Sequence, residues 1–206
     1  MRGILPTVLD TKYDSILAWE KRLAKAVAAR VVKIPQLTVW AFMIPFIFIL
    51  NFFRYKRGSA TFSLNFLFTK KLALEGALDI AKKGEQQQDV IMRIEEKTAS
   101  ILAPDTRGVY SSGIRQKQMS EIKLLLEHYL KLLEAEGKTF ESMVRNAYKN
   151  AEQYKAFLRE LARAEKAVNQ EALQAVGKDK AARKMVSEME KTANSIRASE
   201  AENIFS

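Results

Sequence analysis

A run of seventeen residues without a charged side chain, residues 37–53, constrains the fold of this chain more than any other feature. Its sequence is LTVWAFMIPFIFILNFF. As a straight α-helix it would rise about 25 Å, slightly less than the roughly 30 Å hydrocarbon core of a bilayer. Pro45 lies in its middle, where proline removes a helical hydrogen bond and clashes with the preceding turn. The run therefore predicts a short, proline-kinked membrane segment.

Aromatic and cationic side chains in and around this run support a membrane location. Bilayer boundaries favour aromatic rings at the head-group level and cations whose charged tips reach water. We expect a set of such residues, together with the apolar run, to anchor the chain in the membrane. They are Trp19, Trp40, Phe42, Pro45, Phe46, Phe48, Phe52, Phe53, Arg54, Lys56 and Arg57.

Three structures are compatible with residues 37–53: a buried helix of a soluble core, a single transmembrane span, and a re-entrant hairpin that returns to the same leaflet. A span normally carries its excess of Lys and Arg on the cytoplasmic side. Here five such residues lie within about twenty positions on each side of the run. A re-entrant hairpin that bends at Pro45 therefore remains an alternative to a single transmembrane span, although each arm of the hairpin would reach only about 12 Å.

Two amphipathic helices are predicted beside the run, over residues 14–32 and 62–83. Asp14 or Ser15 is the expected N-cap of the first, and Gly84 ends the second. We expect both helices to lie in the plane of the membrane, with packing on the protein's own core as the alternative. The cations expected to contact lipid head groups are Lys21, Arg22, Lys25 and Arg30.

The charge distribution divides the chain into two regions. Residues 1–84 hold 14 Lys and Arg against 5 Asp and Glu, whereas residues 85–206 hold 20 against 19. Because the basic excess accompanies the apolar run, it predicts attraction to anionic lipid head groups rather than to nucleic acid. We therefore expect a membrane-anchoring region over residues 1–84 and a helical bundle or coiled-coil domain over residues 85–206.

The longest helix of the second region is predicted over residues 139–176, with Thr139 as its N-cap. Apolar positions recur along it in alternating steps of four and three, which is typical of a coiled-coil seam, and Glu165 is the one charged residue in that seam. At about 57 Å the helix exceeds its neighbours, and its excess length would be covered by the helix that begins at Glu85 or by another protomer. We expect self-association into a homo-oligomer. The seam residues expected to mediate it are Phe140, Val144, Ala147, Ala151, Tyr154, Leu158, Leu161 and Val168.

Motifs that carry catalysis are missing from the sequence. There is no cysteine, which excludes disulfides, thiolate catalysis and Cys-ligated metals, and no phosphate-binding G-x-x-x-x-G-K-[ST] or G-x-G-x-x-G. The single histidine, His128, is expected at the surface or at its boundary. We therefore expect no enzyme activity, no cofactor, no metal and no small-molecule substrate.

Together these patterns predict an all-α protein that is anchored in a membrane and functions without catalysis. Our first interpretation is a helical scaffold that self-associates on the cytoplasmic face of a membrane and binds anionic lipids. The alternative is an accessory subunit that anchors a soluble enzyme complex to the membrane, which would require a protein partner.

Overall fold

The computed structural model describes residues 7–31, 66–102, 111–176 and 180–206. These residues form seven helices and no strand, so the all-α prediction is confirmed. The helices are α1 (Val8–Val31), α2 (Phe68–Lys83), α3 (Gln87–Leu102), α4 (Ser112–Glu134), α5 (Phe140–Ala147), α6 (Ala151–Val176) and α7 (Lys180–Phe205).

Capping side chains set several helix ends. The Thr7 hydroxyl accepts a hydrogen bond from the backbone N–H of Asp10 at 3.2 Å, so α1 begins earlier than expected and Asp14 is not its cap. Thr139 caps α5 as predicted and accepts from the Ser142 N–H at 3.2 Å. Gly84 ends α2 in the left-handed conformation, at φ 68°, which also confirms its prediction.

The predicted helix over residues 139–176 is two helices in the structure. The first ends at Ala147, and Tyr148 leaves helical geometry with φ −115° and ψ 56°. Asn150 then accepts a hydrogen bond from the Gln153 N–H at 3.0 Å and caps α6. The prediction of one long helix was wrong because the seven-residue apolar repeat continues through the break, while the capping side chain starts a new helix.

Five helices form a closed ring. In the order α1, α2, α4, α6 and α7, each packs against the next, and α7 packs back against α1. Outside the ring, α3 packs on α2, while the short α5 contacts α4, α7 and α1. A single hydrophobic core fills this arrangement.

The first two helices belong to this core. Ile16, Leu23 and Val27 of α1 are buried, and Trp19 stacks on Phe140 with ring centroids 4.3 Å apart. The apolar faces of α1 and α2 are therefore covered by protein, which is the alternative of packing on the protein's own core. Trp19 lies in that core, and a position of these helices in the membrane plane is not confirmed. Since both helices contribute to the same core as α4, α6 and α7, the expected division at residue 84 does not separate two packed units.

The rest of the predicted membrane anchor consists of the apolar run and the cations that follow it. Within the described ranges, none of the helices combines the length and apolarity that crossing a bilayer requires. Residues 37–53 and the cations Arg54, Lys56 and Arg57 lie outside the described residues.

Contacts between helix ends give the bundle two distinct ends. Asp10 near the start of α1 pairs with Lys82 near the end of α2 at 2.7 Å, so these helices are antiparallel. Lys12 donates to the Leu133 carbonyl at the end of α4 at 2.8 Å. Tyr154 near the start of α6 lies close to Phe205 at the end of α7. These contacts define the far end of the bundle.

The opposite end, called the exit end below, holds the last turns of α1, α3 and α6 and the first turns of α2, α4 and α7. Thr98 of α3 and Met119 of α4 meet near it, with Oγ1 and Sδ 4.0 Å apart. Residues 32–65, 103–110 and 177–179 therefore each connect two helices at this one end.

Candidate functional site

The ring encloses a cluster of charged side chains, one from each of its helices. The residues are Glu20 on α1, Lys70 on α2, Glu121 on α4, Glu165 on α6 and Arg197 on α7. Four are at most 5% exposed, and the Glu165 side chain is 16% exposed. Burying so many charges is costly unless each one finds a partner, so their pairing decides what the cluster does.

Glu165 is the centre of the cluster. Its two carboxylate oxygens accept hydrogen bonds from both terminal nitrogens of Arg197, at 2.6 and 2.8 Å, and one of them also accepts from Lys70 Nζ at 3.0 Å. Burial alone would raise the pKa of Glu165, but the charges of Arg197 and Lys70 and their hydrogen bonds hold it at about 2. The residue that interrupts the apolar repeat is therefore an ionised carboxylate that joins three helices.

Lys70 connects this centre to α4. Its Nζ lies 3.8 Å from Glu121 Oε1, which also accepts a hydrogen bond from Thr69 Oγ1 at 3.1 Å. Burial alone would lower the pKa of Lys70, but Glu165 and Glu121 outweigh that effect and raise it. Burial raises the pKa of Glu121. Lys70 is thus held charged between two carboxyl groups.

Glu20 extends the cluster to α1. Its Oε1 accepts a hydrogen bond from the Tyr129 hydroxyl at 2.6 Å, and its Oε2 has no hydrogen-bond partner among the described residues. Burial raises the pKa of Glu20. Two cations therefore face three carboxyl groups, and the cluster is electrically neutral when either Glu20 or Glu121 carries a proton.

This geometry points to a role in specifying the helix order. The Arg197–Glu165 pair has the two-pronged geometry of a strong charge-assisted interaction and requires α6 beside α7. The hydrogen bond from Lys70 to Glu165 adds the place of α2 in the ring. The described residues bring no three metal-binding side chains together. Apart from the charge of Glu165 within the apolar repeat, no sequence pattern predicts the cluster, because its members are far apart along the chain.

His128 belongs to a separate aromatic cluster. Its ring is buried and stacks on Phe157 with centroids 4.0 Å apart, and its Nδ1 lies 2.7 Å from the Tyr148 hydroxyl. Burial, aided by the nearby charge of Lys131, lowers the pKa of His128 to about 3. The prediction of a surface or boundary histidine was wrong, since Tyr148 at the break between α5 and α6 turns inward to pair with it.

Most of the predicted self-association seam is used inside the chain. The fully buried members are Phe140, Val144, Tyr154, Leu161 and Val168. Ala147, Ala151 and Leu158 are half-buried. In this structure α4 and α7 of the same chain already cover its large apolar side chains, and binding of a second copy through the seam stays a prediction.

The four cations expected at lipid head groups are exposed on α1, opposite its buried face. They are Lys21, Arg22, Lys25 and Arg30. Only Arg22 among them forms an ion pair within the described part of the chain, with Glu141 at 3.8 Å. Their contact with lipid stays a prediction.

Two open grooves border α7. One, of about 520 Å³, separates α1 from α7 and contains Trp19, whose indole N–H donates to the Glu200 carboxylate. Burial raises the pKa of Glu200 to about 7. The other, of about 360 Å³, lies between α6 and α7 and is bordered by Lys155, Arg159 and Arg197.

Comparison of the chain with protein families, with curated proteins and with solved structures found no match.

Proposed function

We propose that this protein is a non-catalytic helical scaffold held on the cytoplasmic face of a membrane, with residues 37–53 inserted into the bilayer from the exit end of the bundle. The observation that carries the proposal is the antiparallel packing of α1 and α2. The chain leaves the bundle after Val31 and returns at Phe66 at the same end, so the apolar run has both of its connections on one side.

This arrangement favours a re-entrant insertion over a single crossing. After a crossing, residues 54–65 would have to pass back through the bilayer to reach α2. That segment contains Arg54, Lys56 and Arg57, and each cation at the centre of a bilayer costs about 3 kcal/mol on insertion scales. An insertion that enters and leaves through one leaflet avoids this cost.

The flanking charges support a cytoplasmic position for the bundle. Lys and Arg near a membrane segment favour the cytoplasmic side. The amino side contributes the exposed Lys25 and Arg30, and the carboxyl side contributes Arg54, Lys56 and Arg57. Since both sides are cationic, both are expected on the same face.

The described surface favours a scaffold that works through polar contacts. Val8 and Met92 are the exposed large apolar side chains among the described residues. Surfaces that bind a protein partner through an apolar patch expose much larger contiguous areas. The proposal therefore retains the anchor and the bundle, and no longer relies on the seam of α5 and α6 for assembly.

A carbonate wash of membranes that contain the full chain tests the anchor. The wild-type chain should stay in the membrane pellet, because carbonate releases proteins that are held on a membrane by charge and does not release an inserted apolar segment. Replacing two residues of the run, Ile47→Asp with Leu50→Asp, should move the protein to the supernatant. The matched control, Val8→Asp with Met92→Asp, makes the same change on the exposed bundle surface and should stay in the pellet. Wild-type protein in the supernatant would refute the anchor.

A further inference from the structure

The exit end of the bundle is strongly cationic, and its charges come from helices far apart in the sequence. Six exposed cations lie within the two helical turns nearest this end, and none of them forms an ion pair with a described residue. They are Lys25 and Arg30 on α1, Lys117 on α4, and Lys180, Arg183 and Lys184 on α7.

Few acidic groups oppose them. In the same turns the described carboxylates are Glu96 and Glu171. Glu75 and Glu95 lie one residue further from this end and are already paired with Lys71 at 3.5 Å and with Lys123 at 3.4 Å. The exit end therefore carries a net positive charge that its own side chains do not neutralise.

The far end is different, because ion pairs neutralise three of its cations, although Lys138 and Lys149 are exposed there as well. Lys82 binds Asp10 at 2.7 Å, Lys83 binds Asp79 at 2.8 Å, and Arg93 binds Glu85 at 2.6 Å. The contrast between the two ends cannot be seen in the sequence, where residues 85–206 are close to neutral.

We infer that the exit end is a docking surface for anionic phospholipid head groups, with Lys117 of α4 and Lys180, Arg183 and Lys184 of α7 as its main new contacts. The inference rests on the proposed function, since the insertion of residues 37–53 would hold this end against the membrane. Charge complementarity selects the lipid, because cations that are exposed at one end and have no ion pair complement a layer of phosphate groups. The bundle then stands upright on the bilayer, with the far end pointing away from it.

Vesicle flotation of the full chain, synthesised without detergent in the presence of vesicles, tests this surface. One vesicle is phosphatidylcholine alone, and the other is phosphatidylcholine with phosphatidylglycerol at about 30%, a strongly anionic surface. The test variant is Lys117→Glu with Lys184→Glu. The matched control is Lys138→Glu with Lys149→Glu, two exposed lysines at the far end. Circular dichroism confirms that both variants keep the helical fold.

We expect wild-type protein to float with both vesicles and to bind the anionic one more tightly. The test variant should bind the anionic vesicle about 30-fold more weakly, the factor that corresponds to about 1 kcal/mol for each of two lysines near an anionic surface. Its binding to neutral vesicles should not change, and the control should match wild type on both.

The outcomes separate this inference from the proposed function. Flotation on neutral vesicles without extra affinity for anionic ones would leave the anchor intact and overturn the docking surface. Equal losses in the test and control variants would also overturn it, since net charge would then explain the effect. No flotation on either vesicle would refute the anchor itself. Tighter binding of the wild type to a polyanion such as RNA than to anionic vesicles would assign the surface to another partner.

Discussion

Replacing Glu165 with Gln should destabilise the bundle more than any other single change of charge in its interior. The carboxylate accepts three hydrogen bonds from two buried cations, at 2.6, 2.8 and 3.0 Å. Gln keeps the volume of the side chain but removes its charge. The substitution therefore leaves Arg197 and Lys70 buried without full compensation, which is the costly way to break a buried ion pair.

Two independent estimates give the magnitude. A pKa lowered from 4.5 to about 2 corresponds to about 3 kcal/mol of stabilisation of the charged form. Removing one partner of a buried pair typically costs about 3–5 kcal/mol. We therefore expect Glu165→Gln to lower the free energy of unfolding by about 3 kcal/mol, which in a chain of this size lowers Tm by about 6–12 °C.

Thermal unfolding of the full chain in detergent micelles, followed by circular dichroism, measures this effect. Glu160→Gln is the matched control, because Glu160 is exposed on the same helix, and it should change Tm by less than about 2 °C. Glu20→Gln should also have a small effect, since a neutral amide resembles the protonated carboxyl that burial favours there. A Glu165→Gln variant as stable as its Glu160→Gln control would refute the assigned role of the cluster.

The same cluster gives a pH dependence with a definite sign. Because folding lowers the pKa of Glu165, its contribution is fully present above about pH 4.5 and is lost as the pH falls toward about 2. The difference in Tm between wild type and Glu165→Gln should therefore shrink across this range. A difference that stays constant from pH 7 to pH 3 would contradict the charge assignment.

Three further predictions concern single side chains. Gly76→Ala should destabilise the protein by about 1–2 kcal/mol, measured by urea unfolding, because the new methyl would lie 2.8 Å from Val90 Cγ1 and this clash outweighs the gain in helix propensity. Lys12→Met should cost about 2 kcal/mol in the same assay, since the buried ammonium donates to two carbonyls at the end of α4. Glu200→Gln should raise Tm at pH 8 and leave it unchanged at pH 4. Folding raises the pKa of the Glu200 carboxyl to about 7, so the stability that the protonated carboxyl contributes is lost as the pH rises from 4.5 to 7. Results of the opposite sign would refute the corresponding contact.

Local signals in the sequence predicted local structure well. The Thr139 cap and the Gly84 stop depend on a few neighbouring residues, and both are present. The break at Tyr148 is not predicted, although Asn150 is a residue type that begins helices, because the regular apolar spacing continues through the break. Periodicity reports which face of a helix is apolar, and it does not report where one helix ends and the next begins.

Properties that depend on helix order could not be predicted. The apolar face of α1 is compatible with a membrane surface and with a protein core. Its burial in the core becomes clear only once α2 and α7 are seen to pack beside it. Glu165 appeared as an irregularity because its partners, Lys70 and Arg197, lie on other helices. The unpaired cations of the exit end likewise become neighbours only when α4 and α7 start beside the end of α1.

Topology of the full chain in sealed inverted membrane vesicles tests the central claim most directly. The chain has no native cysteine, so single cysteines at Ala18 on α1 and Ser199 on α7, both exposed, give unambiguous labelling sites. An impermeant maleimide should label both positions without detergent, because α1 and α7 lie in one bundle on the cytoplasmic face. Labelling of Ala18→Cys only after detergent is added, with Ser199→Cys labelled throughout, would contradict the insertion of residues 37–53 from one side.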